Sequence, residues 1–476
     1  MHKPILLTNV SLSFFNKSCF ENFSTQIYQG SRIAIIGRNG SGKSSLLNIL
    51  RGRLQPSDGQ VITPDHLSIG YVEQIISGYN DLSGGQKLNK RLSEALALSP
   101  DFLLLDEPTN NLDLANRKSL MRMLQNYQGT LIIVSHDIEL LRKCTNILWH
   151  IDNNKIHIFS GSYDNYIHKI KQKRAKIEKE LFLIKHEKKE THIKLMKEQK
   201  RASKSKIKGQ KSIDQRKWPT IVSTAKANRA SQTTGKKKAA IDKKKQDLID
   251  QISDLRLPKV ILPKFSLGSN DALGDNILSI SGADIGYKEE LIILKNVSLS
   301  LAANERISII GRNASGKSTL LKAIFGKNNI FKTGNWHLPN TQHIGYLDQH
   351  YSNLSPKNSV IDHVRKIRPD WHEIDVRKHL STFLFHNNEE VSNLVCNLSG
   401  GEKARLSLSL IAAKSPRLLI LDEITNNLDL ETKEHVVQVL RNYPGSMIIV
   451  SHEENFLQSI DINHIYKIEC GEVIAQ

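Results

Sequence analysis

Short apolar runs recur along the chain, and those at Ile33–Ile36 and Ile307–Ile310 lead at once into a helical pattern. Ile33–Ile36, Leu103–Leu105 and Leu131–Val134 predict strands, the run at Leu103–Leu105 one buried in a parallel sheet. Ile307–Ile310, Leu419–Leu421 and Met447–Val450 predict the same in the second half of the chain. The opening stretch, Met1–Val10, also predicts a strand and lacks the long apolar core of a signal peptide. Between the halves the pattern changes. From Tyr166 to about Lys206, Ile167, Ile170, Ile177, Leu181, Ile184, Ile193 and Met196 recur near helical spacing, with no Gly or Pro. From Lys206 to Lys238 the chain carries Gly209, Pro219, Gly235 and many Ser and Thr, which predicts a loop or broken helices. Ile241, Leu248, Ile249, Ile252 and Leu255 predict a second helix that Pro258 stops. The middle of the chain thus reads as a helical hairpin, an antiparallel coiled coil with a distinct tip.

The flanks repeat each other. Gly37-Arg38-Asn39-Gly40-Ser41-Gly42-Lys43-Ser44 returns as Gly311-Arg312-Asn313-Ala314-Ser315-Gly316-Lys317-Ser318. Leu82-Ser83-Gly84-Gly85-Gln86, Leu103-Leu104-Leu105-Asp106-Glu107, Asn110-Asn111-Leu112-Asp113 and Val134-Ser135-His136 all recur. Their second copies begin at Leu398, Leu419, Asn426 and Val450. The offset is 274 residues at the two lysines, 275 between Gln74 and Gln349, and 316 at every later motif. One length change of 41 residues, between the glutamine and the Leu-Ser-Gly-Gly, accounts for all the slippage.

The repeated motifs imply phosphate chemistry. Each G-x-x-x-x-G-K-S follows a strand and opens a helix, the context in which backbone N–H groups cradle phosphates. Gly37, Asn39, Gly40, Gly42, Lys43, Ser44 and Ser45 form the first candidate cradle, and Gly311, Asn313, Gly316, Lys317, Ser318 and Thr319 the second. The lysines are expected to reach the β and γ phosphates of ATP. Ser44 and Ser318 are expected to supply hydroxyls to Mg²⁺. Ala314 stands where the first copy has Gly40, so binding is expected with altered tightness. Asp106 and Asp422, at strand ends, are candidate Mg²⁺ holders, and Glu107 and Glu423 candidate bases for the attacking water. His136 and His452 are placed to contact a γ-phosphate. Gln74 and Gln349 are placed to bind Mg²⁺ or the water.

Charge sharpens the picture of the middle segment. The chain has 67 Lys+Arg and 48 Asp+Glu, a net of +19. Residues 163–257 hold 28 and 11 of these, a net of +17, which leaves +2 for the flanks. Charge of one sign without a partner repels itself, so the segment predicts a polyanionic partner. Asp214 is the only acid in 206–238. Lys200, Arg201, Lys204, Lys206, Lys208, Lys211, Arg216, Lys217, Lys226, Arg229, Lys236, Lys237 and Lys238 are candidate RNA contacts. Trp218, beside Pro219, can stack on a base or pin the loop to its own helices. No apolar run approaches the roughly 18 residues of a membrane span. Cys19, Cys144, Cys396 and Cys470 are scattered, favour neither zinc nor disulfides, and are expected as core residues in a reducing cytoplasm.

The ordered motif set resembles the ATP-binding-cassette (ABC) family over both flanks. The resemblance implies an α/β chain of two P-loop NTPase cassette domains that close face to face, with each ATP shared between them. On that basis Ser83 and Gly85 cover the ATP held by Lys317, Ser399 and Gly401 cover that held by Lys43, and Phe14 and Tyr287 stack on adenine. Two cassettes in one chain with a long charged linker are similar to the ABC-F family. Gly161-Ser162-Tyr163-Asp164-Asn165-Tyr166 resembles that family's lead-in to the linker. The run from Asp106 to Asp113 resembles its Walker B segment, with Asn111 where His is usual; the second copy has Ile424 in place of Pro. The expected domains are a first cassette at 1–162, a basic helical hairpin at 163–257 with its tip at about 206–238, a connecting segment at 258–275, and a second cassette at 276–476. Only seven residues separate Gln74 from Leu82, too few for the helical arm of housekeeping members. This resembles the antibiotic-resistance branch of the Vga and Msr kind. The resemblance implies a cytoplasmic monomer with paired cassettes, no transmembrane partner, and ATP-dependent binding to the ribosome. The linker would reach rRNA, the P-site tRNA and the peptidyl-transferase centre, and hydrolysis would drive release. A housekeeping translation factor, a transporter motor subunit and a DNA-handling ATPase are the alternatives.

Overall fold

The computed structural model describes residues 3–14, 17–74, 84–97, 99–110, 112–214, 276–326, 329–348, 351–425 and 428–476. The chain divides into two compact units: Met1–Asp164 with Val260–Gln476, and Asn165–Lys259. The first unit contains both repeats.

Each repeat is built on a six-stranded sheet. In the first the order is Ile69–Val72, Phe102–Asp106, Thr130–Val134, Arg32–Gly37, Ile147–Asp152 and Lys155–Ser160. In the second it is Ile344–Asp348, Leu418–Asp422, Ser446–Val450, Arg306–Gly311, His464–Glu469 and Glu472–Ala475. The pairings are parallel except at the last strand. Every residue of Phe102–Asp106, Thr130–Val134, Leu418–Asp422 and Ser446–Val450 is buried, as helices on both faces of a parallel sheet require. A smaller antiparallel sheet accompanies each: Lys17–Ile27, Ile5–Phe14 and Asp58–Ile62 in the first, and four strands around Asn276–Lys288 in the second.

The 41-residue length difference has a structural form. The second repeat carries helices Val360–Ile367, Glu373–Thr382 and Asn388–Ser392 between Asp348 and Ser399. Val360, Val364, Val376, Leu380, Phe383 and Val391 bury their side chains in one core with Leu406 of helix Gly400–Lys414. The seven-residue counterpart in the first repeat lies outside the described residues.

The described part of the second unit is helical, in the helix Tyr163–Asp214. At 52 residues it is about 78 Å long. Between Ile177 and Thr191 its buried or half-buried positions are Ile177, Leu181, Ile184, Lys188 and Thr191, spaced alternately by four and three, the heptad pattern of a coiled-coil seam. The helix corrects the expected boundary at Lys206: it continues through Gly209 to Asp214. One glycine costs a helix only about 1 kcal/mol, and no proline interrupts this stretch. The expected second helix of the hairpin lies outside the described residues.

Two of the four cysteines depart from expectation. Cys19 and Cys144 are buried, whereas Cys396 and Cys470 are exposed, the latter at a tight turn with φ 50°. No described helix is long and apolar enough to cross a membrane.

Candidate functional sites at the sheet ends

The glycine turns sit where strand Arg32–Gly37 passes to helix Lys43–Leu50, and Arg306–Gly311 to Lys317–Phe325. Gly42 and Gly316 precede the helices in left-handed conformations, φ 93° and 103°. A β-carbon on Gly42 would lie 3.0 Å from Cys19 Cβ, and one on Gly316 2.9 Å from Leu294 Cδ2. Glycine therefore lets each turn close against its antiparallel sheet. Neither helix start has a side-chain cap, which leaves first-turn backbone N–H groups able to donate to an anion.

Lys43 and Lys317 are buried and fold back on their loops. Lys43 Nζ donates to the carbonyls of Gly37 (2.8 Å) and Arg38 (3.0 Å). Lys317 Nζ donates to those of Gly311 (3.1 Å) and Arg312 (2.8 Å). Burial pushes both ammonium pKa values down, against the pull of nearby carboxylates. A desolvated ammonium held by neutral carbonyls is a receptor for a phosphate oxygen. Ser45 is half-buried and Thr319 buried in the first turns that follow.

The acids gather opposite. The Ser44 hydroxyl bonds Asp106, and Ser318 Oγ lies 3.4 Å from Asp422 Oδ1. Burial raises the pKa of both aspartates. Glu107 and Glu423 follow with φ 49° and 51°, left-handed backbone that non-glycine residues rarely adopt. Their N–H groups donate to the carbonyls of Val134 (2.8 Å) and Val450 (3.0 Å), which fixes this turn against the neighbouring strand. His136 Nε2 lies 3.3 Å from Glu107 Oε1, and His452 Nε2 3.2 Å from Glu423 Oε1. Burial pushes the Glu107 pKa up to about 7, with Lys43 and Lys433 pulling against it. Burial, Lys43 and Lys433 hold the His136 pKa well below its ordinary value. Gln74 is exposed just beyond strand Ile69–Val72. Ser83 and Gln349 lie outside the described residues, while Gly85 is in helix Gly84–Leu96.

The two repeats meet through contacts that the motifs alone did not reveal. Asp429 caps helix Leu430–Arg441 with one oxygen, accepting from Thr432 N (2.8 Å), and its other oxygen accepts from Asn39 N (3.1 Å). Asp113 repeats this with Asn116 N (3.0 Å) and Asn313 N (3.5 Å). Arg38 adds a two-pronged pair with Glu431, at 2.5 and 2.8 Å. Ser399 caps helix Gly400–Lys414 and bonds Glu402 at 2.7 Å. A β-carbon on Gly401 would sit 2.7 Å from Thr432 Oγ1, so this glycine lets the helix start lie directly on the helix that touches Asn39. Each glycine turn thus faces the opposite repeat. Asp113 and Asp429 end the repeated Asn-Asn-Leu-Asp motif, whose spacing alone assigns them no role. Their signal was an N-cap acid retained at the same offset in both copies.

Phe14 and Tyr287 end the corresponding strands of the two antiparallel sheets and are 45% and 46% exposed. On the long helix, Lys200, Arg201 and Lys204 are exposed. Lys206, Lys208 and Lys211 lie on its helical backbone. Arg216, Lys217, Trp218, Lys226, Arg229, Lys236, Lys237 and Lys238 lie outside the described residues.

Comparison with known proteins agrees with this architecture. The family model described as ABC transporter matches residues 20–74 and 294–426. ATP-binding protein Uup of Buchnera aphidicola (subspecies Acyrthosiphon pisum) is 30% identical over 507 residues, covering 96% of this chain and 79% of that protein. Probable ATP-binding protein YheS of Haemophilus influenzae is 29% identical, over 96% of this chain and 78% of its own length. Ribosome protection protein VmlR of Bacillus subtilis is 28% identical, over 96% and 85%.

Proposed function

We propose a role that proceeds from one premise: the chain belongs to the ATP-binding-cassette family, among its ABC-F-type ATP-binding proteins. It is an ATPase. Its two sites are composite. At one, Lys43 receives the β and γ phosphates while Ser399 and Gly401 close from the other repeat. At the other, Lys317 does so while Ser83 and Gly85 close. Phe14 and Tyr287 stack on adenine.

The residues fit Mg²⁺. Asp106 Oδ1 is buried with no hydrogen-bond partner, an acceptor suited to a cation. Among the described residues no three His, Cys, Asp or Glu side chains are grouped to hold a metal, so the ion depends on phosphate oxygens as well. Ser44, Gln74 and Asp106 would hold it at one site, and Ser318, Gln349 and Asp422 at the other. When bound, it neutralises charge on the transferred phosphoryl group. Glu107 and Glu423 take the proton of the attacking water. His136 and His452, within 3.3 Å of those carboxylates, orient them and hold the water.

The cellular reading is ribosome protection: ATP-dependent binding to the ribosome in the cytoplasm, with the basic linker inserted toward the P-site tRNA and the peptidyl-transferase centre. There it relieves an antibiotic block, and hydrolysis releases the protein. The observation that carries this reading is the concentration of charge, +17 within residues 163–257 between two nearly neutral cassettes. Neutralising phosphates gives RNA affinity without sequence readout. The ribosome protection protein among the relatives supports the same partner. The test compares ATP turnover with purified bacterial ribosomes and with duplex DNA. Stimulation by ribosomes alone is expected, together with raised tolerance to ribosome-targeting antibiotics in cells expressing the protein. Stimulation by DNA alone would remove the ribosome. Ribosome stimulation without any change in drug tolerance would leave a housekeeping translation factor.

A further inference from the structure

Two buried contacts between the repeats lie outside the glycine turns, and they share one plan. Arg117 Nη1 donates to the backbone carbonyl of His452 at 2.9 Å, and its Nη2 lies 3.0 Å from Asp137 Oδ2. Lys433 Nζ donates to the backbone carbonyl of His136 at 3.2 Å and to both oxygens of Glu453 at 2.8 and 2.9 Å. Positions 117 and 433, like 137 and 453, are separated by the repeat offset of 316. Each cation therefore holds the acid that follows its own repeat's histidine, and also the carbonyl of the opposite repeat's histidine. The four side chains are at most 12% exposed.

Such an arrangement is not an economical way to glue two surfaces. Taking a cation and a carboxylate out of water is costly, and apolar side chains of similar size serve as well for stability. What the bridges do hold is specific. Each fixes the loop that sets a histidine within 3.3 Å of a candidate catalytic glutamate. A shift of one histidine loop must move a cation anchored to the other. Asp137 is pinned further because its other oxygen accepts from Glu139 N (3.0 Å) and Leu140 N (3.2 Å) at the next helix start.

We propose that Arg117 and Lys433 form a reciprocal latch that ties the two histidine loops together, so that the two nucleotide sites change state jointly. Both are positioning residues: neither touches nucleotide, and each acts through the loop it holds. The proposal rests on the reading of Glu107 and Glu423 as the water-activating groups.

The test is a cycle of ATP turnover. With the latch intact, Glu107→Gln alone is expected to lower turnover about tenfold, well below the half that independent sites would leave. The comparison background carries Arg117→Met, Asp137→Asn, Lys433→Met and Glu453→Gln. It removes each cation together with its acid, so no charge is stranded, and Asn at 137 keeps the helix cap. In that background Glu107→Gln is expected to leave about half of the background's own rate. The same fold loss in both backgrounds, or a loss of only half with the latch intact, overturns the latch. Retention of a fluorescent ATP analogue reports that the background is folded. Should it bind none, Lys433→Met with Glu453→Gln takes its place, and Lys433→Arg, which keeps the donor, is expected to preserve the tenfold loss. Loss of that tenfold effect in Lys433→Arg would count against the latch. The underlying catalytic reading fails separately, if Glu107→Gln combined with Glu423→Gln leaves turnover intact with the latch present.

Discussion

The two repeats are closely matched in their candidate catalytic residues and in the Arg117 and Lys433 bridges, and differ in how tightly each glycine turn is clasped from the opposite repeat. Both place a lysine, a serine, an aspartate, a left-handed glutamate and a histidine at equivalent positions around a sheet of the same strand order. Around this shared core, the surroundings diverge. The turn at Asn39 is clasped by Asp429 at 3.1 Å and by the Arg38–Glu431 pair. The turn at Asn313 has Asp113 at 3.5 Å, and the position equivalent to Glu431 is Ala115. Glu107 is more enclosed than Glu423, with side-chain exposures of 8% and 21%. Tyr346 donates to Asp422 at 3.2 Å and stacks near Phe325, whereas its equivalent Tyr71 lies under the Arg51 guanidinium. A duplicated chain can thus hold the same side chains in matching places while the contacts around them differ.

The largest effect is expected from removing what the halves share. Glu107→Gln with Glu423→Gln should lower ATP turnover by about 100-fold or more and leave nucleotide binding in place. Single-turnover assays with a fluorescent ATP analogue measure both. Turnover close to that of the unaltered protein would show that neither glutamate activates water.

Next comes a difference in stability centred on Glu107. Its carboxyl is raised from 4.5 to about 7 by burial. The folded state therefore holds the proton more tightly than the unfolded chain. The resulting stability is full below pH 4.5 and is lost as pH rises through about 7. Glu107→Gln cannot ionise, so the nucleotide-free variant should be the more stable protein at pH 8, by of order 3 kcal/mol, with the gap closing toward pH 5. Chemical denaturation across pH 5–8 reads this directly. A constant gap would mean that burial does not perturb Glu107.

A smaller effect is expected at the second glycine turn. Ala314 holds φ 61°, where its counterpart Gly40 has φ 74°. An L-residue in the left-handed region costs about 1 kcal/mol relative to glycine. Ala314→Gly should recover that cost and tighten nucleotide binding at the Lys317 site up to about fivefold. Titration of the Lys43→Ala variant, in which the other site is disabled, isolates this step. Unchanged affinity would mean that the turn carries no strain relevant to binding.

The smallest change grafts one contact across the comparison. Ala115→Glu supplies the acid that the Asn313 side lacks. Exposed ion pairs contribute about 1 kcal/mol or less, so nucleotide affinity at the Lys317 site should rise two- to fivefold at low salt. The gain should fade at high salt. Equal affinity at both salt concentrations would separate the Arg38–Glu431 pair from site closure.

Much of this was legible in the chain itself. The buried parallel strands announced themselves because burial on both faces demands unbroken apolar runs, as in Leu103–Leu105 and Leu419–Leu421. The Lys43, Asp106, Glu107 and His136 set was legible because close-range chemistry fixes both residue type and local spacing. The extension of the long helix to Asp214 was not, because Gly209 and the serines weigh against helix locally while the helix needs only continuity. The cross-repeat partners were also missed. Arg117 and His452 are 335 positions apart, and no local pattern joins residues that meet only when two repeats dock. A cation and an acid kept at the 316 offset were visible in the sequence, yet only the geometry showed what they hold.

The most direct measurement is co-sedimentation of the Glu107→Gln, Glu423→Gln variant with purified bacterial ribosomes, with and without ATP. Trapped with nucleotide bound, the variant should pellet with ribosomes when ATP is present and remain in the supernatant without it. Absence from the ribosomal pellet in ATP, in a preparation that binds the nucleotide, would contradict a ribosome-directed ATPase and leave the basic linker to another polyanion.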